Sequence, residues 1–167
     1  MIANWDTLSC YGQPPGEYKT QGLMQTADPM PVWIPGAIFM EWSHKLLFHT
    51  GWKIHISVDP VDADDLARLA LPVLRLMQVH HKVIGPWVDY ERFNRESPQR
   101  GKFITVYPGP SASTAQRVLD RLDTIIEAYR FRGGPVPVMR SSKHTEPEIP
   151  IGVSGLFFCL WSDDYSR

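Results

Sequence analysis

A chain of 167 residues, 43% apolar and 21% charged, has the composition of one packed domain, which excludes a wholly disordered chain. A formal charge of −1 argues against a general nucleic-acid surface, and no apolar run nears the ~20 residues of a membrane span. The two cysteines, Cys10 and Cys159, exclude a disulfide framework and a zinc site, and with no signal-like start they predict a cytoplasmic protein.

Residues 1–36 are rich in Pro, Gly and polar residues and predict a loosely structured lead-in. An apolar-mixed stretch from Ala37 to Thr50 suggests a strand pair. Trp52 to Val58 alternates cleanly, with Trp52, Ile54, Ile56 and Val58 on one face and Lys53, His55 and Ser57 on the other. Asp62 to Gln78 follows as a helix with Leu66, Leu69, Ala70, Val73, Leu76 and Met77 as its apolar stripe, kinked or broken at Pro72. A short strand at Val79–Ile84 and a long polar loop to Gly101 come next. Phe103 to Tyr107 is a strand, and Ser113 with Gln116 forms a capping box for a helix to about Tyr129. Its stripe is Val118, Leu122, Ile125, Ile126 and Tyr129. A basic loop with a strand at Val136–Met139, and a buried strand at Leu156–Trp161, complete the pattern. The order predicts a single α+β domain: a mainly antiparallel sheet with helices packed on one face. The domain proper is expected over residues 37–161, with 162–167 as a tail.

The charge is unevenly spread. Arg130 to Lys143 holds four cations and no acid, and Lys82 to Lys102 five cations against three acids. With the apolar face of Trp52–Val58 on the helices, Lys53, His55 and Ser57 line the open face. Lys82 shares the polarity register of His80 on the next strand, and the following loop brings Arg92, Arg95, Arg100 and Lys102. A solvated sheet face would look the same. Chemically, guanidiniums grip phosphate oxygens, a histidine can protonate a leaving oxygen, and a lysine can act as base. Those parts suit β-elimination of a phosphate monoester. No carboxylate is evident among them.

Gly51-Trp52-Lys53-Ile54-His55-Ile56-Ser57 and Gly101-Lys102-Phe103-Ile104-Thr105-Val106-Tyr107-Pro108 strongly resemble the N-terminal lyase domains of class III and class IV lanthipeptide synthetases, with Lys82 at the matching place between them. More distantly, the Lys-x-His strand is similar to that of the phosphothreonine lyases secreted as type III effectors. The resemblance implies Lys82 as base, His55 as general acid and Lys53 as stabiliser of the carbonyl or phosphate. Arg92, Arg95 and Lys102 would bind phosphate. The family's Tyr-Arg pair near the last strand has no counterpart in Ile151-Gly152-Val153-Ser154-Gly155, so Arg140 from the adjacent loop is the candidate replacement.

The implied activity is phosphate elimination from phosphoserine or phosphothreonine in a ribosomally synthesised precursor peptide. No metal and no cofactor are expected. With no kinase-like motif here, the phosphorylated peptide would come from a separate Ser/Thr kinase, and a cyclase is a candidate downstream partner. Neither nucleic acid nor membrane is an expected partner. Two other readings stand beside this one. A catalytically degenerate lyase-like module would bind a phosphopeptide or leader peptide. A two-histidine phosphoesterase would use His55-Ile56-Ser57, but His44, His49, His80, His81 and His144 are followed two residues on by Leu, Gly, Lys, Val and Glu, so the second element is missing.

Overall fold

Alternating and β-branched residues form the strands, and the helical stripes cover one side of them. The computed structural model describes residues 19–20, 39–42, 48–85, 87–96, 98–139 and 147–165. Among the described residues seven strands make one sheet: β1 (Lys19–Thr20), β2 (Phe39–Trp42), β3 (Gly51–Ile56), β4 (His80–Ile84), β5 (Ile104–Gly109), β6 (Ile149–Ile151) and β7 (Phe157–Ser162). They run in the order β1-β2-β4-β5-β3-β7-β6, and every pairing is antiparallel. The single α+β domain expected from the pattern is what the chain forms.

Helices α1 (Ala63–Leu76) and α3 (Ala112–Glu127) pack together over one face of the sheet, against Ile54, Ile56, Val83, Ile104, Val106 and Phe157. Fully burying a leucine such as Leu66, Leu71 or Leu74 contributes roughly 1.5–3 kcal/mol. The expected stripe on α1 is turned by about one residue: Ala67, Leu71 and Leu74 are inside, whereas Leu76 is 73% exposed. Two adjacent apolar rows run along this helix, and the pattern alone does not say which one faces inward. Pro72 lies inside α1, and the helix continues through it to Leu76. In α3 the N-cap is Ser111, whose Oγ accepts from Thr114 N, two residues ahead of the Ser113 box. Tyr129 lies past the helix end and is exposed.

The segment after β4 corrects a second expectation. Instead of a polar loop it contains α2 (Trp87–Glu96). Trp87, Tyr90 and Phe93 recur every third residue there, a short apolar period set among charged residues. Tyr90 packs on Phe103, and its hydroxyl donates to Val58 O and accepts from Val58 N. Phe93 stacks on Phe39 at 6.4 Å. Val136–Met139 forms no strand, only an isolated bridge from Val138 to Pro147. Within 37–50, the described residues give the single strand β2.

At one end of β3 the register with β5 shifts between Trp52 and Ile54, a β-bulge at the level of Lys53. Gly51 (φ 148°) meets Gly109 (φ 89°) there so closely that a Cβ on Gly51 would lie 2.3 Å from Gly109 C. The Tyr165 hydroxyl bridges the join, donating to Trp52 O at 2.7 Å and accepting from Gly109 N at 2.9 Å. At one edge of the sheet, β6 is three residues long with Pro150 at its centre and Ile149 59% exposed.

Candidate active site

Cross-strand register decides which side chains meet. Residues directly opposite in an antiparallel pair share a face. Glu41 lies opposite Lys82, Lys82 opposite Thr105, Thr105 opposite His55, and His55 opposite Phe158. One row therefore crosses five strands on the face turned away from α1 and α3. Lys82 and His55 stand on either side of Thr105, two strand spacings or about 10 Å apart at the backbone. A second row holds His80 opposite Tyr107, with the Lys53 ammonium 5.7 Å from the centre of the Tyr107 ring.

Two carboxylates, not foreseen from the sequence, organise these cations. Glu148 immediately precedes β6, held by its amide donating to Pro137 O at 2.9 Å. The β6–β7 register, continued one residue back, brings it opposite Leu160, which faces Lys53. Its fully buried side chain reaches His55, with Oε1 2.6 Å from Nδ1, and its Oε2 is 3.9 Å from Lys102 Nζ. An ionised carboxylate only accepts, so Nδ1 carries the hydrogen and Nε2 is left for other work. Burial lowers the His55 pKa below its usual value; the bonded Glu148 carboxylate opposes that, while Lys102 and Lys53 add to it. On the other flank Glu41 Oε1 is 2.7 Å from His80 Nε2. The His80 hydrogen bond, with help from the charges of His80 and Lys82, holds the Glu41 carboxyl below its ordinary range against the opposing effect of burial.

The expected residues divide into three groups. Lys53, His55, Lys82 and Lys102 come together on or beside this face. Arg92 and Arg95 lie on α2, whose Phe93 stacks on Phe39, itself under the Lys82 ammonium at 4.4 Å. They rim the face but pair within their own helix, with Asp89 at 2.8 Å and Glu91 at 3.1 Å, and are 62% and 68% exposed. Arg140 falls outside the described residues. The turn that lacks the family arginine is not at this face at all. Asp123 of α3 accepts from Val153 N and Ser154 N, holding residues 152–155 on the helix side.

His81, next to His80, points into the opposite face. It stacks on Trp42 at 5.6 Å, and its Nδ1 is 2.8 Å from Val79 O. Glu41 was legible in principle, since alternation in Phe39-Met40-Glu41-Trp42 puts it with Phe39. Glu148, in Pro147-Glu148-Ile149-Pro150, carries no local signal of burial. Among the described residues no three His, Cys, Asp or Glu gather as metal ligands would. No described helix is long and apolar enough to cross a membrane.

The fold is shared with known lyases. The chain is similar to the Chromobacterium violaceum VirA (SpvC) phosphothreonine lyase effector, with 18% identity over 77% of this chain and 63% of that one, at a TM-score of 0.58. The Salmonella phosphothreonine lyase SpvC, an effector protein, gives 17% identity over 79% and 66%, at 0.56. A further phosphothreonine lyase structure gives 14% identity over 93% and 72%, at 0.59. The chain thus spans less than two thirds of the length of the two effectors. No curated protein sequence matches it. The family profile described as "RamC, N-terminal domain" matches residues 35–139, a stretch that holds Lys53, His55, Lys82 and Lys102. The chain belongs to the RamC N-terminal domain family.

Proposed function

We propose that the protein is a lyase that eliminates phosphate from phosphoserine or phosphothreonine in a ribosomally synthesised precursor peptide, leaving dehydroalanine or dehydrobutyrine. The observation that carries this reading is the shared row in which Lys82 and His55 flank Thr105. A base and an acid on either side of one narrow strip suit a substrate whose Cα–H and Cβ–O bonds break together. The fold likeness to phosphothreonine lyases and the family match support it.

In this reading Lys82 Nζ takes the α-proton. The electron pair of that C–H bond becomes the Cα=Cβ bond, and the Cβ–O bond breaks with its pair on the phosphate oxygen. His55 Nε2 delivers a proton to that oxygen. Lys53 stabilises the charge that builds on the peptide carbonyl or on phosphate. Lys102, Arg92 and Arg95 attract the phosphate, with Arg140 retained on sequence grounds alone. Residues 37–161 are the lyase unit, which takes a phosphopeptide made by a Ser/Thr kinase, and a cyclase is a candidate downstream partner.

Mass spectrometry of a phosphopeptide incubated with the protein separates the readings. Elimination leaves a product one water lighter than the unphosphorylated peptide. Hydrolysis restores the unphosphorylated mass, and a binding module leaves the phosphopeptide unchanged; either result would refute the lyase.

A further inference from the structure

We propose that Glu148 is the positioning residue of the acid: it orients His55 through Nδ1 and stabilises its protonated form, so that Nε2 faces the leaving oxygen as a donor. This rests on the lyase reading, but it concerns a residue outside the 35–139 stretch that carries the family match.

The physical need comes from burial. The His55 side chain is 5% exposed, and taking an imidazolium out of water disfavours the charge. Lys53 and Lys102 add positive potential at the same ring. Each of these effects works against the proton that an acid must carry. Among the described residues the charged groups that act on it are those two lysines and Glu148; its cross-strand neighbours, Thr105 and Phe158, carry no charge. Glu148 is therefore the sole negative group among them. At 2.6 Å, with its side chain fully buried, the carboxylate acts with little screening.

The placement of Glu148 is itself fixed from both sides. Its amide is tied to Pro137 O, and the residues after it enter the sheet as β6. A flexible surface glutamate would lose side-chain freedom on pairing; this one is held in register before any substrate arrives. Its second oxygen has no hydrogen-bond partner among the described residues and lies 3.9 Å from Lys102 Nζ. Lys102 thus competes with His55 for the same carboxylate. Replacing Lys102 and replacing Glu148 should push the imidazole in opposite directions.

The test is an NMR titration of His55 in the full chain, with pH–rate profiles on one phosphopeptide. Glu148→Gln keeps the shape and removes the charge. It should move the His55 titration, and the alkaline limb of kcat/KM with it, to lower pH. At neutral pH it should lower kcat/KM by about 10- to 100-fold, short of the 10²–10⁴-fold attached to losing a general acid. Glu148→Asp should restore part of both. Lys102→Met should shift the His55 titration upward, which keeps the idea testable if Glu148→Gln does not fold. A titration that stays in place in Glu148→Gln, or moves down in Lys102→Met, overturns the assignment and reduces Glu148 to a structural residue. Wild-type protein that leaves the phosphopeptide intact would instead remove the lyase reading, while the titration arm would still report on the pair.

Discussion

The two faces of the central strands are built from alternate residues of the same segments, and both are buried. On the helix side Ile54, Ile56, Val83, Ile104 and Val106 join one apolar cluster. On the other side Lys53, His55, Ser57, Thr105 and Tyr107 are shielded from water almost as fully. Burial does not tell these faces apart; the partners do. The adjacent His80 and His81 make the point within one dipeptide. His80 turns to a carboxylate, Glu41, whereas His81 turns to an aromatic ring and a backbone carbonyl. A buried polar group is tolerable when it is bonded, and it becomes chemically useful when its partner is ionisable.

The sharpest way to break this contrast is to empty the polar face while leaving the apolar face alone. Lys82→Ala should abolish elimination with little change in unfolding midpoint, and His55→Ala should lower elimination by roughly 10²–10⁴-fold and also lower the midpoint, because it strands the buried Glu148 carboxylate. The two should then diverge on a peptide with β-chloroalanine at the reacting position, since chloride departs without a proton. His55→Ala should recover relative to wild type there, and Lys82→Ala should not. Equal responses in both variants would undo the assignment of roles, though not the fold.

The contrast between His80 and His81 predicts a smaller effect, on stability. Burial lowers the His81 pKa to about 3, against roughly 6.5 in an unfolded chain. The unfolded state then binds more protons, so the stabilisation is complete above about pH 6.5 and declines as pH falls towards 3. Between neutrality and about pH 5, His81 should account for roughly 2 kcal/mol of lost stability. Urea unfolding at the two pH values should show a flatter dependence in His81→Phe, and an unchanged slope would contradict the buried neutral ring. Smallest are the rim arginines. Each is exposed and paired with an acid of its own helix, so Arg92→Ala or Arg95→Ala should change phosphopeptide Kd by about fivefold or less, under 1 kcal/mol. A loss of a hundredfold in titration calorimetry would mean that α2 turns these guanidiniums onto the phosphate.

Sequence alone carried the site as far as alternation reaches. Lys53 to Ser57 share a face because side chains in a strand alternate, and that needed no partner strand. The alignment of His55 with Lys82 through Thr105 depended on two long-range registers, for which local pattern gave only the polarity match with His80. Glu148 was out of reach. It enters the site because Pro137 and β7 hold it there, and those contacts connect residues distant along the chain. The missing arginine was a different kind of gap. Matching by position placed residues 151–155 at the site, whereas Asp123 fastens that turn to the helix layer.

Pro150 has a consequence for how the molecule behaves at high concentration. An outermost strand normally offers a row of amides and carbonyls on which another chain can extend the sheet, the first step of edge-to-edge aggregation. At the β6 margin that row is only three residues long, and its middle member has no amide hydrogen. The apolar side chain of Ile149 is exposed beside it, yet a second copy meets no continuous ladder on which to grow. This margin guards colloidal stability through the backbone, whatever the surface charge.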